Sequence, residues 1–278
     1  MFDIKKIPET IELAEKSVLA NEETAKRAIS VLDLTSLNDD DTIETIEALC
    51  AKAQTPVGNT AAVCVYAPFI ETSWKSLGQS GIKTATVVNF PDGGQNAQRV
   101  ADETANAVAA GADEIDVVLP YRAFLAGAPD RAAEVITATR QACGPLITLK
   151  VILESGAFPD AQTIYDAARL AITNGANFVK TSTGKVPTGA TPQAAVAMLT
   201  AIRDAKAEQG LNCGFKASGG VKTTNDAGLY LAIADHVMGP DWATPATFRF
   251  GASSVLSDLL AVCGVNTGGS LSTDAGNY

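Results

Sequence analysis

Short apolar runs alternate with longer amphipathic stretches along almost the whole chain. Apolar or β-branched runs of four to eight residues between turn residues are typical of buried strands, whereas apolar positions three and four apart indicate helices. By these criteria we predict eight strands, at residues 28–34, 61–67, 84–90, 114–119, 146–153, 177–182, 214–218 and 248–252. Helices are predicted between them, for example at residues 41–53, 96–110, 160–173 and 192–208.

The ends of the predicted helices carry matching signals. Asp160 and Thr191 are suited to cap helix N termini, and Thr191 precedes a proline at the first helical position. Gly111 and Gly175 stand where a glycine commonly ends a helix. These signals support the regular alternation of strand and helix.

Eight strands that are each followed by a helix, in a chain of 278 residues, are typical of a (β/α)8 TIM barrel. We predict one α/β barrel domain, with the barrel at residues 28–264. An extra N-terminal helix, roughly residues 8–21 within segment 1–27, could close its lower end, and residues 265–278 are predicted to form a flexible tail. A doubly wound open sheet is the rival fold, but its Gly-x-Gly-x-x-Gly signature after the first strand is absent.

The amino-acid composition says little about the fold, but it argues against several classes of function. The 21 basic and 31 acidic residues give a net charge of −10, which argues against nucleic-acid and membrane partners. No apolar run approaches the ~18 residues that span a bilayer, and the first residues lack the apolar stretch expected of a signal peptide. Five scattered cysteines and a single histidine, His236, disfavour a disulfide framework and a histidine-rich metal site. We expect a soluble, cytoplasmic protein without metal or other cofactor.

Three lysines fall within the predicted strands five, six and seven, where an ammonium group is costly to bury. They are Lys150, Lys180 and Lys216. If all three point into the barrel, Lys180 lies between two cations, and like charges lower the pKa of the central amine most. A neutral amine attacks carbonyl carbons, so Lys180 is predicted to form a Schiff base. Lys216 is then the cation that keeps Lys180 neutral, and Asp116, in strand four, balances the cluster and relays protons.

A second group of residues is predicted to bind an anion. The loops after the last strands of a TIM barrel, with a helix N terminus, are its usual phosphate seat. Glycines there let backbone N–H groups approach an oxyanion, although each glycine pair alone is explained by the needs of a turn. The predicted phosphate-binding residues are Gly184, Lys185, Gly219, Gly220, Gly251, Ser253 and Ser254.

Further candidates lie near other strand ends. Asp33 and Thr35, at the end of strand one, could hydrogen-bond substrate hydroxyls, with helix capping at Asn38 or Asp39 as the alternative for this segment. Lys150 is included in the substrate-binding set. Cys64 is more typical of a small core residue than of a reactive thiol, but it is also included in this set, because at the barrel mouth it could be a site of oxidation or of substrate-linked modification. The last residue, Tyr278, is either part of a disordered end or a lid residue that brings a phenol to the site.

These segments resemble those of the deoxyribose-phosphate aldolases. The resemblance is carried by Leu32-Asp33-Leu34-Thr35, Asn89-Phe90-Pro91, Glu114-Ile115-Asp116-Val117-Val118, Leu149-Lys150-Val151-Ile152-Leu153-Glu154, Val179-Lys180-Thr181-Ser182-Thr183-Gly184, Phe215-Lys216-Ala217-Ser218-Gly219-Gly220 and Arg249-Phe250-Gly251-Ala252-Ser253-Ser254. This sequence departs from the family pattern at Tyr66-Ala67-Pro68-Phe69, where some relatives have a proline followed by a basic residue.

The resemblance implies a class I aldolase that reversibly cleaves 2-deoxy-D-ribose 5-phosphate to D-glyceraldehyde 3-phosphate and acetaldehyde, in deoxyribonucleotide catabolism. Lys180 would form the Schiff base, with Asp116 and Lys216 in the proton relay. The expected partners are the phosphorylated sugar and the aldehydes, and a homodimer is the candidate assembly. Two alternatives stay open: a Schiff-base aldolase for a keto-sugar phosphate, and a non-catalytic barrel that binds phosphosugars.

Overall fold

A computed structural model describes residues 2–265 of the protein and contains a closed barrel of eight parallel strands. The barrel strands are β1 (Leu32–Thr35), β2 (Ala62–Val65), β3 (Lys83–Val88), β4 (Glu114–Val118), β5 (Thr148–Ile152), β6 (Phe178–Lys180), β7 (Gly214–Ser218) and β8 (Phe248–Ala252). Each strand pairs with the next one along the chain, and β8 pairs with β1 to close the barrel. The predicted α/β TIM-barrel fold is confirmed.

Helices surround the barrel and precede it. They are α1 (Ile7–Ser17), α2 (Glu22–Ser30), α3 (Ile43–Ala53), α4 (Ile70–Leu77), α5 (Ala97–Ala109), α6 (Tyr121–Leu125), α7 (Pro129–Cys143), α8 (Ala161–Thr173), α9 (Pro192–Gln209), α10 (Thr224–Met238) and α11 (Val255–Val262). The predicted caps are confirmed, because Asp160 accepts the N–H of Thr163 at 2.8 Å and Thr191 accepts that of Ala194 at 3.2 Å. Among residues 2–265, no helix is both long and apolar enough to cross a membrane.

The first predicted strand, residues 28–34, is wrong in its first half. These residues complete α2, whose N terminus is capped by Asn21 Oδ1, the acceptor of the Thr24 N–H at 2.9 Å. Ala25, Ala28 and Ile29 are buried on one face of α2, which packs against α10 and α11. Their spacing of three and four is helical, so the apolar residues at 28 and 29 belong to a helix face and not to a strand.

The predicted N-terminal helix is present, but its place in the fold differs from the prediction. It begins at Ile7 and ends at Ser17, and it packs against α9 and α10 on the outside of the barrel. Its buried residues, Ile7 and Ala14, are seven positions apart and therefore lie on one face. A helix with a single buried face docks on the helical layer, so the predicted closure of the lower end by this helix is wrong.

Candidate active site

Asp116 lies at the centre of a group of buried charged side chains inside the barrel. Its carboxylate on β4 is 2.8 Å from Lys150 Nζ on β5, 2.9 Å from Lys180 Nζ on β6 and 2.9 Å from Lys216 Nζ on β7. All four side chains are at most 2% exposed. The structure thus brings together the four residues that the sequence singles out on neighbouring strands.

The three lysines do not form the predicted row with Lys180 in the middle. Lys180 is in register with Lys216 on β7 but with Ile152 on β5, whereas Lys150 is in register with Asp116 and Phe178. Side chains alternate between the two faces of a strand, so Lys150 and Ile152 are successive inward-facing residues of β5. Ile152 is level with Lys180, and Lys150 therefore lies one layer below it in the barrel. Asp116, and not Lys180, lies between the cations, so the predicted two-sided flanking of Lys180 is wrong.

The lysines differ in the direction of their pKa shifts. Burial lowers the pKa of Lys180 and Lys216 adds to this effect, against the opposing pull of Asp116. Burial also opposes the charge of Lys216, but Asp116 and Asp33 outweigh it and raise the pKa of that amine. The lowered pKa predicted for Lys180 is found, but its main cause is burial, with Lys216 as the cation that contributes.

A second set of ionic contacts lies beside the lysines. Asp33 on β1 is 2.5 Å from Lys216 Nζ and 2.5 Å from the guanidinium of Arg249 on β8. Glu114 on β4 is 2.8 Å from Arg249 and 2.5 Å from Lys150 Nζ. Burial acts against the charge of Asp33, but Arg249 and Lys216 outweigh it and lower the pKa of this carboxyl. The Asp33 carboxylate therefore has other partners than the predicted substrate hydroxyls.

Gly251 lies inside the barrel and not in the loop that leads to α11. It belongs to β8, and a Cβ atom there would lie 2.9 Å from Lys216 Cε and 2.8 Å from Ser218 Oγ. Any side chain at this position would displace the Lys216 side chain or Ser218. The glycine therefore makes room for the side chains of Lys216 and Ser218, which differs from its predicted place in an anion-binding loop.

The other predicted phosphate-binding residues follow β6, β7 and β8, at the end of the barrel to which Lys180 belongs. Gly184, Gly219 and Gly220 have positive φ angles of 80°, 82° and 87°. A Cβ atom on Gly219 would lie 3.0 Å from the Cα atom of Gly189, so the loops after β6 and β7 meet backbone to backbone. This approach requires glycine.

The polar side chains of the predicted phosphate seat have different surroundings. Lys185 is exposed, and its Nζ donates a hydrogen bond of 2.6 Å to the Leu37 carbonyl in the loop after β1. Burial of part of this side chain lowers the pKa of its amine. Ser253 and Ser254 are half-buried between β8 and α11, and the Ser254 hydroxyl makes no capping hydrogen bond to the helix.

Thr35 and Cys64 lie in less accessible positions than the loops. The Thr35 hydroxyl donates to the Asp33 carbonyl at 2.8 Å, and the residue is 6% exposed. Cys64 is buried among Leu37, Ala62, Ala85 and Val87, and burial raises the pKa of its thiol. A thiol with a raised pKa is a poor nucleophile. Tyr278 lies outside the described residues.

Comparison with known proteins identifies the family. The sequence pattern of the DeoC/LacD family aldolases matches residues 27–241, most of the chain. The chain belongs to the DeoC/LacD aldolase family. A solved structure from Toxoplasma gondii ME49, named as a deoxyribose-phosphate aldolase, is 25% identical, with a TM-score of 0.81 over 88% of this chain and 96% of its own.

Two further solved structures support the same assignment of the fold. A protein from Coccidioides immitis, also named as a deoxyribose-phosphate aldolase, is 25% identical, with a TM-score of 0.73 over 92% of this chain and 97% of its own. The deoxyribose phosphate aldolase from Aeropyrum pernix, described as a unique tetrameric structure, is 24% identical, with a TM-score of 0.68 over 91% and 96% of the two chains. At this identity the last comparison shows the fold alone.

This DeoC/LacD family aldolase has other residues at the site that the sequence interpretation missed. Glu154, just after β5, has a φ of 61° and accepts the N–H of Thr183 at 3.2 Å and its hydroxyl at 2.6 Å. Ser182 Oγ is buried without a hydrogen-bond partner among the described residues. Arg249 and Glu114 were also missed as network members. For Ser182, Arg249 and Glu114 the signal was alternation, because they stand two residues from Lys180, Gly251 and Asp116 respectively.

Proposed function

We propose that the protein is a class I deoxyribose-phosphate aldolase, which reversibly cleaves 2-deoxy-D-ribose 5-phosphate to D-glyceraldehyde 3-phosphate and acetaldehyde. The observation that carries the proposal is the environment of Lys180, a buried amine with a lowered pKa on β6. Within residues 2–265, Asp116 is the one carboxylate in ion-pair contact with Lys180, and Asp116 also serves Lys150 and Lys216. Such an amine is neutral more readily than an ordinary lysine and can act as a nucleophile.

In the proposed reaction, the Lys180 amine attacks the aldehyde carbon of the open-chain sugar, and loss of water gives an iminium. The iminium withdraws electrons from the C2–C3 bond while the C3 hydroxyl proton passes to Asp116. Cleavage of this bond releases glyceraldehyde 3-phosphate and leaves an enamine on Lys180. Protonation of the enamine carbon followed by addition of water releases acetaldehyde and regenerates the amine.

The electrostatics of the site support these steps. The iminium replaces a neutral amine by a cation, and the Asp116 carboxylate, 2.9 Å from Lys180 Nζ, is placed to stabilise that charge. Burial acts against the charge of Asp116, but Lys150, Lys180 and Lys216 outweigh it and hold the pKa of this carboxyl well below its ordinary value. A carboxylate of this kind holds a proton only briefly, which suits a relay, and Lys216, which stays protonated and donates a hydrogen bond to Asp116, would enter that relay as a proton donor.

The phosphate of the substrate is proposed to bind to the loops after β6, β7 and β8. Backbone N–H groups at Gly184, Gly219 and Gly220 and the hydroxyls of Ser253 and Ser254 would receive it, and Lys185 would exchange the Leu37 carbonyl for a phosphate oxygen. Binding energy from this remote group would hold the sugar against Lys180. This activity would serve the breakdown of deoxyribonucleotides.

Reductive trapping tests the proposal directly. Borohydride treatment of the full chain with acetaldehyde should fix an ethyl group on Lys180, located by peptide mass spectrometry. Lys180→Met, the matched control, should remain unmodified, and labelling at Lys150 or Lys216 would overturn the assignment of the nucleophile. Absence of any adduct would favour the non-catalytic phosphosugar-binding barrel.

A comparison of donor substrates separates the proposed activity from that of the nearest enzyme. With glyceraldehyde 3-phosphate as the acceptor, acetaldehyde should be consumed to form deoxyribose 5-phosphate, and dihydroxyacetone phosphate should not react. Turnover with dihydroxyacetone phosphate alone would instead identify an aldolase for a keto-sugar phosphate. Both donors can form an iminium on a lysine, so the panel tests the substrate and not the chemistry.

A further inference from the structure

Arg249 lies in the barrel interior without being part of the proposed catalytic contacts. It is the second residue of β8, is 5% exposed, and its guanidinium contacts both Asp33 and Glu114. Its Nε donates to the Pro245 carbonyl at 2.6 Å, and the guanidinium lies 5.6 Å from the centre of the Phe178 ring. These contacts hold the side chain in one place, where it engages two of the buried carboxylates.

The charges inside the barrel do not balance when every group is ionised. The cations are Lys150, Lys180, Lys216 and Arg249, and the carboxylates are Asp33, Glu114 and Asp116. Four cations face three carboxylates, an excess of one positive charge in an interior where an uncompensated charge is costly. Loss of one proton from a lysine would leave three cations with three carboxylates.

The contacts indicate which lysine is left without compensation. Lys150 Nζ is 2.5 Å from Glu114 and 2.8 Å from Asp116, and Lys216 Nζ is 2.5 Å from Asp33 and 2.9 Å from Asp116. Lys180 has Asp116 alone within ion-pair distance among the described residues. Lys180 is therefore the cation whose proton is held least firmly.

We propose that Arg249 is a positioning residue for the reactive lysine: by engaging Asp33 and Glu114 it leaves the buried cations one carboxylate short, so that Lys180 gives up its proton. The inference rests on the proposed Schiff-base function of Lys180 and adds an indirect contribution of Arg249 to the effects of burial and Lys216 on this amine. The directions of the pKa shifts agree with it. Burial lowers the pKa of Lys180, whereas for Lys150 the contacts with Asp116 and Glu114 outweigh burial and raise the pKa.

Lys180 has further titratable and charged groups around it besides Asp116. The titratable and charged side chains on the elements that surround it are Asp33, Cys64, Glu114, Asp116, Lys150, Glu154, Lys216 and Arg249. Burial raises the pKa of the Cys64 thiol, which keeps this group neutral. Burial also raises the pKa of Glu154, against the hydrogen bonds from Thr183 and the charge of Lys180, and among the described residues its carboxyl makes no ion pair with the network. The balance of buried charges is therefore taken over the seven residues that are joined by ion pairs.

Substitutions that change the net charge of the buried network in opposite directions test the proposal. Arg249→Met removes one cation and should raise the pH midpoint of acetaldehyde trapping at Lys180 by about one unit, whereas Glu114→Gln removes one anion and should lower it by a similar amount. Arg249→Lys keeps the charge and should stay near the wild-type midpoint. The double variant Arg249→Met with Glu114→Gln restores the wild-type excess of one positive charge and should return to the wild-type midpoint.

The measurement is the rate of borohydride trapping at Lys180 as a function of pH, with the adduct located by peptide mass spectrometry. Arg27→Met is the matched control, because Arg27 forms an ion pair of 2.6 Å with Asp235 between α2 and α10, outside the barrel. This variant should leave the midpoint unchanged. If Arg249→Met fails to fold, the shift in Glu114→Gln and its absence in Arg249→Lys decide the question.

The outcomes separate this inference from the proposed function. Wild-type labelling at a residue other than Lys180, or no labelling, would refute the Schiff-base proposal itself. Labelling at Lys180 with midpoints that stay fixed, or that move in the same direction in both single variants, would refute the role of Arg249 and leave the aldolase proposal standing. A purely structural role for Arg249 predicts lower stability without opposite shifts of the midpoint.

Discussion

Three lysines of the same chemical type differ inside this barrel because each meets different carboxylates. Lys150 and Lys216 each have a second acidic neighbour, Glu114 and Asp33 respectively, whereas Lys180 shares Asp116 with both of them. A buried ammonium group keeps its proton only where carboxylates offset the cost of burial. Residue by residue, the acidic neighbours determine which amine is available for chemistry.

Asp116 is the residue whose loss should affect both stability and activity. Asp116→Asn leaves three buried lysines without their shared carboxylate, so the free energy of unfolding should fall by about 3–5 kcal/mol. Aldol cleavage should slow by about 10²–10⁴-fold, because the proton relay is lost as well. Urea denaturation and the rate of deoxyribose 5-phosphate cleavage measure the two effects.

Asp235→Asn provides the comparison for this prediction. Asp235 is paired with Arg27 at 2.6 Å, and both side chains are about a quarter exposed. A solvated pair of this kind contributes about 1 kcal/mol or less. A loss of stability in Asp116→Asn that is no larger than in Asp235→Asn would contradict the central place of Asp116 in the network.

Residues just after β5 fix the loop that follows β6 by hydrogen bonds. Glu154 accepts the N–H and the hydroxyl of Thr183, and the Thr183 hydroxyl oxygen accepts the N–H of Lys185 at 3.0 Å. Ser155 adds a backbone hydrogen bond of 2.8 Å to the Thr181 carbonyl. The loop that carries the proposed phosphate ligands is thus fixed by the neighbouring strand.

Removal of the Thr183 hydroxyl should loosen this loop. In Thr183→Ala, Glu154 and the Lys185 N–H each lose a hydrogen bond, so KM for deoxyribose 5-phosphate should rise on the order of tenfold. The value of kcat should change much less, because Lys180 and Asp116 keep their contacts. Steady-state kinetics of the cleavage reaction measure both values.

Thr173→Ala serves as the matched threonine control. Thr173 is exposed on α8, and its hydroxyl donates to the Arg169 carbonyl of the same helix at 2.9 Å. Its kinetic constants should equal those of the wild type. A fall in kcat without a change in KM for Thr183→Ala would place its hydroxyl in the chemical step and would contradict a role in fixing the loop.

Local sequence patterns predicted most strands and helices, but not all of the residues at which they begin and end. The strands predicted at residues 214–218 and 248–252 agree with β7 and β8, because turn residues bound both runs sharply. The strand predicted from residue 146 begins two residues later, since Leu146 is 92% exposed and lies outside the sheet. Single apolar residues at a strand end do not distinguish a buried position from an exposed one, and the surrounding packing decides.

The site depends on contacts between residues that are far apart in the chain. Arg249 meets Asp33 across 216 positions and Glu114 across 135 positions. Alternation indicates that such side chains share the inward face of their strands, but the relative levels of the strands depend on the closure of the barrel. Lys150 shows this, because its level relative to Lys180 follows from strand register. The sequence therefore predicted that the three lysines meet Asp116, but neither their order around it nor the ion pairs of Arg249.

Burial of neutral thiols should make the stability of the whole protein fall at alkaline pH. Burial raises the pKa of Cys213 to about 12 and that of Cys143 to about 11, against an unfolded value of about 8.5. Below the unfolded value both states keep the proton, and stability is fully present. Above it the unfolded chain loses the proton first, so each thiol lowers the free energy of unfolding by up to about 1.4 kcal/mol per pH unit.

Cys213→Ala tests this argument, because alanine removes a thiol whose pKa burial raises to about 12. Urea denaturation between about pH 8 and pH 10 should give a shallower decline for this variant than for the wild type, by up to one proton per molecule. Cys263→Ala is the control, since Cys263 is half-exposed and the shift that burial causes there is smaller. Equal slopes for wild type and Cys213→Ala would mean that the Cys213 thiol ionises alike in the folded and unfolded chains, and that other groups cause any alkaline loss of stability.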